Sequence, residues 1–179
     1  MGLYLNNLSE LITYADSDWG CDMDTRHSVS GYVFLLGKLA VSWSANQQLM
    51  VAASSTKAEY MSVLHTAHQG LWLRCLLIEL GFTHLRSDPT IIYLNNCSAM
   101  ELMKESCHHN WTKHIDIQHH FICKWVVDGT YKIIHCPTGQ MLVDILIKLL
   151  HFPTFSIHRN TLRLVTSWGG VLESVDSNP

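Results

Sequence analysis

The chain has 179 residues and a formal net charge of −3 at pH 7, with 12 Lys and Arg against 15 Asp and Glu. Proteins that bind nucleic acid gain most of their affinity from basic side chains that contact phosphates. The excess of acidic over basic residues here therefore predicts only weak electrostatic attraction to nucleic acid. Charged residues make up only 15% of the chain, against about a quarter in an ordinary soluble domain. Low charge together with 47% hydrophobic residues indicates a piece of a larger protein that keeps apolar surface once covered by a neighbour.

Other global features narrow the class of protein. No apolar run reaches membrane-spanning length and no secretory leader opens the chain, which predicts an intracellular protein, cytoplasmic or nuclear, without membrane contact. Six cysteines stand singly, so we expect no disulfides and interpret them as small buried groups. The length fits one domain at 1–150, followed by a C-terminal helix and a loose tail at 151–179.

The predicted elements mix strands and helices. An extended start at 2–5 precedes strands at 11–17, 30–36 and 39–44, the last two joined by a tight turn at Gly37. A long helix at 54–80 follows, then strands at 89–94 and 131–136 and helices at 96–104, 113–127, 141–150 and 153–165. The apolar face of the long helix is predicted at Tyr60, Val63, Leu64, Ala67, Leu71, Cys75 and Ile78, with Gly81 ending the helix. This order predicts a mixed sheet with the first strand at its centre.

The first strand ends in two acidic residues, Asp16 and Asp18, after an apolar run. Neighbouring carboxylates at the end of a buried strand are tolerated mainly when a cation lies between them, which favours a metal site. A solvated Asp-Ser-Asp turn fits this segment equally well. The choice depends on whether other acidic residues reach the same place.

Seven blocks of the chain, from about Leu3 to Leu150, resemble the ribonuclease H domain at the end of a copia-type LTR retrotransposon Pol polyprotein. They are YADSDWGCDMDTRHSVSGYVFLLG, VSWSANQQ, SSTKAEYM, HQGLWLRCLLIELGF, NNCSA, TKHIDIQHHFI and CPTGQMLVDILIK. The resemblance implies the α/β ribonuclease H-like fold, a five-stranded mixed sheet in the order 3-2-1-4-5 flanked by helices. It also implies hydrolysis of the RNA strand of RNA/DNA hybrids by two Mg²⁺ ions about 4 Å apart. The implied partners are the hybrid and a reverse transcriptase domain, with no small-molecule cofactor.

The resemblance assigns catalytic and metal-binding roles to three carboxylates. Asp16 matches the first position of the family, with Asp18 less favoured, while Glu59 matches the second and Asp144 the fourth. Taken alone, Glu59 also fits a capping box with Thr56, which needs no metal. Asp144 taken alone is an ordinary acidic residue in a first helical turn.

The third catalytic position departs from the family, because Asn95 stands where the family has an aspartate. Asparagine offers a cation one carbonyl oxygen but removes a full charge, so we predict one bound Mg²⁺ or none and an impaired or inactive enzyme. Asn46 and Gln47, which replace a lysine pair usual in the family, remove phosphate contacts as well. The alternative is a non-catalytic remnant that binds nucleic acid or a protein.

Substrate-side residues are predicted near the same edge. Ser28 and Ser30 flank a small-residue turn that lets the backbone approach phosphate, although an ordinary turn is the alternative. Asn96, next to the third catalytic position, is also assigned to substrate binding. Asp116 is interpreted as structural or substrate-side.

Two further groups of side chains can be interpreted either as functional residues or as ordinary structural ones. His and Cys side chains are preferred zinc ligands, and they cluster at Cys107, His108, His109, His114, His119, His120 and Cys123. Because the spacings fit no standard finger, we favour surface or hydrogen-bonded histidines. Trp19, Trp43 and Trp72 are candidate base-stacking platforms, but they stand in core blocks of the family, so we predict packing.

Overall fold

The computed structural model describes residues 10–104 and 121–164. The strands are β1 (Leu11–Asp18), β2 (Val29–Leu36), β3 (Leu39–Gln47), β4 (Thr90–Leu94) and β5 (Tyr131–His135). The helices are α1 (Ser55–Glu79), α2 (Cys97–Lys104), α3 (121–127), α4 (Asp144–Ile147) and α5 (Phe152–Thr161), with 3₁₀ turns at Thr83–Arg86 and Thr138–Gln140. The predicted start at 2–5, Asp116, the histidine cluster before Cys123 and the tail from 169 lie outside the described residues.

The five strands form one mixed sheet in the order β3-β2-β1-β4-β5. β1 pairs antiparallel with β2 and parallel with β4, which in turn pairs parallel with β5. The predicted fold class, strand order and central first strand are therefore confirmed. Because β1 and β4 run in the same direction, the residues that follow or end them lie at the same edge of the sheet.

Helices cover both faces of this sheet. On one face α1 buries Tyr60, Val63 and Ala67 against the sheet, and α2 and α3 complete this cluster. On the other face, a cluster that includes Met141, Val143 and Leu162 covers Val33 and Leu35 of β2. Among the described residues, no helix is both long and apolar enough to cross a membrane.

The long helix approaches the sheet most closely at Gly70. A Cβ atom there would lie 2.6 Å from the Tyr131 hydroxyl, closer than real Cβ contacts allow, and 3.1 Å from the Phe34 ring. In its second half the helix packs Leu71 and Ile78 partly against the core, as predicted, but its fully buried residues differ from the predicted ones. Gly70, Leu73 and Leu77 are buried, whereas Cys75 is exposed.

The ends of several elements also differ from the predicted ones. The helix predicted at 141–150 is regular only over Asp144–Ile147, because a 3₁₀ turn at Thr138–Gln140 precedes it and Lys148 has an extended backbone. The helix predicted at 153–165 covers Phe152–Thr161 instead. Three cysteines, Cys21, Cys75 and Cys97, are exposed, so their assignment to the core is wrong, while Cys123 and Cys136 are buried as predicted.

Arg74 links the C-terminal part of α1 to the segment that enters β4. Its side chain is buried and donates hydrogen bonds to the carbonyl of Asp88 at 2.9 Å and to the hydroxyl of Thr90 at 2.8 Å. The guanidinium also donates to the carbonyl of Leu85. A single buried cation thus satisfies three acceptors that would otherwise be desolvated and unpaired.

Replacement of Arg74 by methionine is expected to lower the free energy of unfolding by about 2–4 kcal/mol, because it leaves these three acceptors without a donor. Urea unfolding followed by circular dichroism measures the change. Arg86→Met, at an exposed position in the neighbouring 3₁₀ turn, serves as the control and should change stability by less than about 0.5 kcal/mol. Equal stability of the Arg74→Met variant and the unchanged protein would contradict this account.

Candidate active site

Asp16 lies at the centre of a cluster of polar side chains at the edge of the sheet. Its side chain is 0% exposed and projects from the central strand β1, two residues before the end of that strand. One carboxylate oxygen accepts the backbone N–H of Ser17 at 2.7 Å. Its backbone carbonyl accepts the Ser62 hydroxyl of α1 at 2.7 Å, which fastens the helix to this end of the strand. Asp18, the less favoured candidate, is half-buried at the end of β1.

Glu59 enters this cluster from the first part of α1. Its side chain is buried, and its carboxyl group is hydrogen-bonded to the carboxylate of Asp16. Ser54 caps the helix by accepting the N–H of Lys57 at 3.2 Å, so the capping alternative for Glu59 does not hold. Among the described residues, the buried Oε2 atom of Glu59 has no hydrogen-bond partner.

Asp144 reaches Asp16 because α4 approaches the sheet closely at Gly31. Gly31 is the cross-strand partner of Asp16. A Cβ atom at Gly31 would lie 2.6 Å from Cγ2 of Ile147 and 2.9 Å from Cγ2 of Val143, so only glycine admits α4 at this distance. Asp144, the first residue of α4, is buried and hydrogen-bonded to Asp16.

Asn95, at the third predicted catalytic position, also lies in the cluster. Asn95 follows β4 directly, and its amide nitrogen donates to Oδ2 of Asp16 at 3.5 Å. An aspartate at this position would place a second negative charge beside Asp16, whereas the amide places a hydrogen-bond donor there. The structure therefore brings Asp16, Glu59, Asn95 and Asp144 together from four separate elements of the fold.

Lys148 is a fifth member that the sequence interpretation missed. Its ammonium forms ion pairs with Oδ2 of Asp16 and, at 3.0 Å, with Oδ1 of Asp144. The signal was present in the sequence, since Asp144 and Lys148 have the i,i+4 spacing of a helical ion pair. Ser62 was missed as well, because nothing in a helical sequence marks a serine that bonds a strand carbonyl.

Burial and the short distances between the carboxyl groups shift their protonation. Burial raises the pKa of Glu59 to about 10, and the hydrogen bond to Asp16 and the charge of Asp16 add to this effect. Burial and the hydrogen bond to Asp16 raise the pKa of Asp144 to about 7. Burial alone would raise the pKa of Asp16, but hydrogen bonds from Glu59, Asp144 and Lys148 outweigh it and lower the pKa. Asp16 is thus the stable anion of the cluster, and Glu59 holds a proton at pH 7.

The donor set of the cluster suits a hard divalent cation, because such ions prefer carboxylate oxygens. Asp16, Glu59 and Asp144 supply these oxygens, and Oε2 of Glu59 is a buried oxygen without a partner in the described part of the chain. In the arrangement seen, no three His, Cys, Asp or Glu side chains of the described residues form a ready metal-binding group. In place of a metal ion, hydrogen bonds from the carboxyl groups of Glu59 and Asp144 and the ammonium of Lys148 stabilise the charge of Asp16.

The predicted substrate-side residues make internal contacts. The Ser28 hydroxyl accepts the N–H of Gly20 at 3.1 Å, and the Ser30 hydroxyl accepts the Gln48 side-chain amide at 2.7 Å; both serines are buried. Asn96 accepts the N–H of Ala99 at 3.0 Å and so holds the start of α2. Substrate contact by these three residues stays a prediction.

The tryptophans are placed differently from the prediction. Trp19, Trp43 and Trp72 are 53%, 62% and 58% exposed, so their assignment to the core is wrong. Trp43 lies on β3, one of the two edge strands of the sheet, and Trp72 lies on α1 away from the buried residues around Gly70. Of the proposed zinc ligands only Cys123 belongs to the described residues, where it is buried in α3.

Comparison with curated proteins identifies relatives among transposon polyproteins. The chain is 38% identical over 176 residues, or 96% of its length, to the retrovirus-related Pol polyprotein from transposon RE2 of Arabidopsis thaliana. It is also 38% identical over 156 residues, or 86% of its length, to the corresponding polyprotein from transposon RE1 of the same plant. The chain spans only 12% and 10% of these two relatives. Compared with models of protein families, it matches none.

Comparison with solved structures identifies the fold. The compost-derived LC11-RNase H1 superposes with a TM-score of 0.54 at 13% identity, covering 78% of this chain and 93% of that one. The foamy viral protease-reverse transcriptase in complex with an RNA/DNA hybrid gives the same TM-score and identity, covering 88% of this chain and 21% of that one. The chain is therefore homologous to a segment of the retrovirus-related Pol polyproteins of copia-type transposons, and it has the ribonuclease H-like fold.

Proposed function

We propose that this chain is the ribonuclease H domain of a retrotransposon polyprotein, with a site of the kind that hydrolyses the RNA strand of RNA/DNA hybrids. We further propose that Asn95 leaves the site impaired or inactive. The observation that carries the proposal is the convergence of Asp16, Glu59, Asn95 and Asp144 at one edge of the sheet. These residues are separated by up to 128 positions, since 144 − 16 = 128, so their convergence is a property of the fold.

Asp16, Glu59 and Asp144 are the residues that would hold divalent cations, for which Mg²⁺ is the proposed ion. Cations bound there would activate the attacking water and stabilise the leaving oxygen. The protein contributes a buried anion on a central strand, with carboxyl groups from two helices fixed around it. Asn95 contributes a neutral amide, which donates to Asp16, where a further carboxylate would attract positive charge.

The proposed partners follow from the relatives. A hybrid of RNA and DNA is the proposed substrate, because one structural neighbour is described in complex with such a hybrid. A reverse transcriptase domain is the proposed neighbour in a parent polyprotein, since the homologues are Pol polyproteins that extend far beyond the matched segment.

A non-catalytic binding module is the second candidate function. The neutral Asn95 and the ammonium of Lys148 inside the cluster favour it, since both reduce the negative charge that would attract cations. Exposed aromatic side chains such as Trp43 and Trp72 give the surface apolar contact area for a partner. The next experiment separates the two candidates.

Replacement of Asn95 by aspartate is expected to raise the rate of hybrid cleavage by about a thousandfold. The reason is that roughly 4 kcal/mol of transition-state stabilisation returns with the missing charge, and each 1.36 kcal/mol is a factor of ten. The rate is measured with a fluorescent RNA/DNA hybrid in Mg²⁺ and in Mn²⁺.

The control for this variant is Asn160→Asp, which adds the same charge at an exposed position on α5. It should leave the rate at the level of the unchanged protein. Near-normal cleavage by the unchanged protein would disprove the proposed impairment. No cleavage by any variant would favour the binding module.

The protonated state of Glu59 predicts a pH dependence of stability in the absence of divalent cations. Above pH 4.5 the unfolded chain loses this proton, whereas the folded protein keeps it until about pH 10. The free energy of unfolding therefore falls as the pH rises through this window. Glu59→Gln, which keeps the shape and an amide donor toward Asp16, should be more stable than the unchanged protein by about 1.36 kcal/mol for each pH unit above 4.5 up to pH 8.

Urea unfolding in EDTA at pH 4.5 and pH 8 measures this effect, and the two proteins should be equally stable at the lower pH. Glu101→Gln, at an exposed position in the middle of α2, is the matched control. Its free energy of unfolding should differ from that of the unchanged protein by the same amount at both pH values. A Glu59→Gln variant that is less stable at pH 8 would show that the carboxyl group is ionised in the folded protein.

A further inference from the structure

We propose that the ammonium of Lys148 is a built-in competitor of divalent cations at the carboxylates of Asp16 and Asp144. A cation then binds these oxygens only when the lysine side chain moves out of the cluster. The inference rests on the proposed function, which makes the same carboxylates the metal ligands. It concerns the affinity of the site and goes beyond the effect of Asn95.

The contacts of Lys148 coincide with the oxygens that a cation needs. The ammonium bonds Oδ2 of Asp16 and Oδ1 of Asp144, so it bridges the two carboxyl groups from the side of α4. Oδ2 of Asp16 also accepts the amide of Asn95, while Oδ1 accepts the N–H of Ser17. Both oxygens of the central anion are therefore engaged, and a cation has to displace a donor to reach Oδ2.

Electrostatics makes the ammonium the main obstacle among these donors. The Asp16 side chain is 0% exposed and that of Asp144 is 5% exposed, so charges next to them are poorly screened by water. An ammonium and a divalent cation at the same pair of oxygens would repel each other at a separation of only a few ångströms. The site consequently holds one or the other.

The position of Lys148 allows its side chain to move out of the carboxylate cluster. It follows the last residue of the four-residue helix α4, its backbone is extended, and its side chain is 27% exposed. The flexible four-carbon stem can rotate into solvent without moving the helix. Asp16 and Asp144 cannot leave in the same way, because β1 is the central strand and α4 packs directly on Gly31.

The test is calorimetric titration of the purified protein with Mn²⁺ alone at pH 7.5. Lys148→Met removes the charge and keeps much of the apolar stem, so we expect the affinity for Mn²⁺ to rise at least tenfold. Lys148→Arg keeps the charge and should bind no more tightly than the unchanged protein. Lys132→Met, at an exposed position on β5, removes an equal charge elsewhere and should change the affinity less than twofold.

Thermal unfolding of the same proteins gives a second readout that does not depend on cleavage. Without metal, Lys148→Met should unfold at a lower temperature than the unchanged protein, and Mn²⁺ should raise its unfolding temperature more. Equal or weaker Mn²⁺ binding by a folded Lys148→Met variant would overturn the inference. So would tighter binding by Lys148→Arg, which is the decisive variant if Lys148→Met does not fold.

Titration of Asn95→Asp separates failure of this inference from failure of the proposed function. If Asn95→Asp binds Mn²⁺ and Lys148→Met shows no gain, the site is a metal site and only the role of Lys148 is wrong. If no variant binds Mn²⁺, both the inference and the proposed metal-dependent function fail.

Discussion

The buried carboxylate of Asp16 is the constraint around which this end of the molecule is arranged. An anion that is fully removed from water is tolerated only if neighbouring groups supply the lost solvation. Here those groups are a backbone N–H, the Asn95 amide, the Lys148 ammonium and protonated carboxyl groups. Burying a protonated carboxyl group beside Asp16 costs less free energy than burying a second carboxylate there, which explains why Glu59 keeps its proton, with a pKa of about 10.

Two glycines set the distances that make this arrangement possible. Gly31 admits α4 and therefore Asp144, while Gly70 lets α1 lie close to Phe34 and Tyr131. A hydroxyl of the same helix, that of Ser62, then bonds the carbonyls of Asp16 at 2.7 Å and Gly31 at 3.3 Å. The site is thus held by close backbone approach on both faces of the sheet, and it depends on the fold at least as much as on its acidic residues.

Much of this architecture could be predicted from the sequence, and the exceptions have physical causes. Strand positions and the convergence of Asp16, Glu59 and Asp144 follow from hydrophobic patterns and from the family resemblance. The exposure of Trp43 could not be predicted, because it depends on β3 being an edge strand whose side chains are mostly exposed. On α1, Leu71 and Ile78 pack partly against the core as predicted, whereas the burial of Gly70 could not be predicted from hydropathy, because it depends on close contact with Tyr131 and Phe34.

Asn95 and Lys148 change the same property of the site, its net charge when no cation is bound. Asp16 is ionised, Glu59 holds a proton at pH 7, and the pKa of Asp144 is about 7, so the Lys148 ammonium brings the cluster close to neutrality. A cluster with a further carboxylate at position 95 would carry uncompensated charge, and its folded state would gain stability from every cation bound. A neutral cluster needs no such ligand to stay folded. On the proposed function, the two residues together therefore make the stability of the fold independent of metal binding.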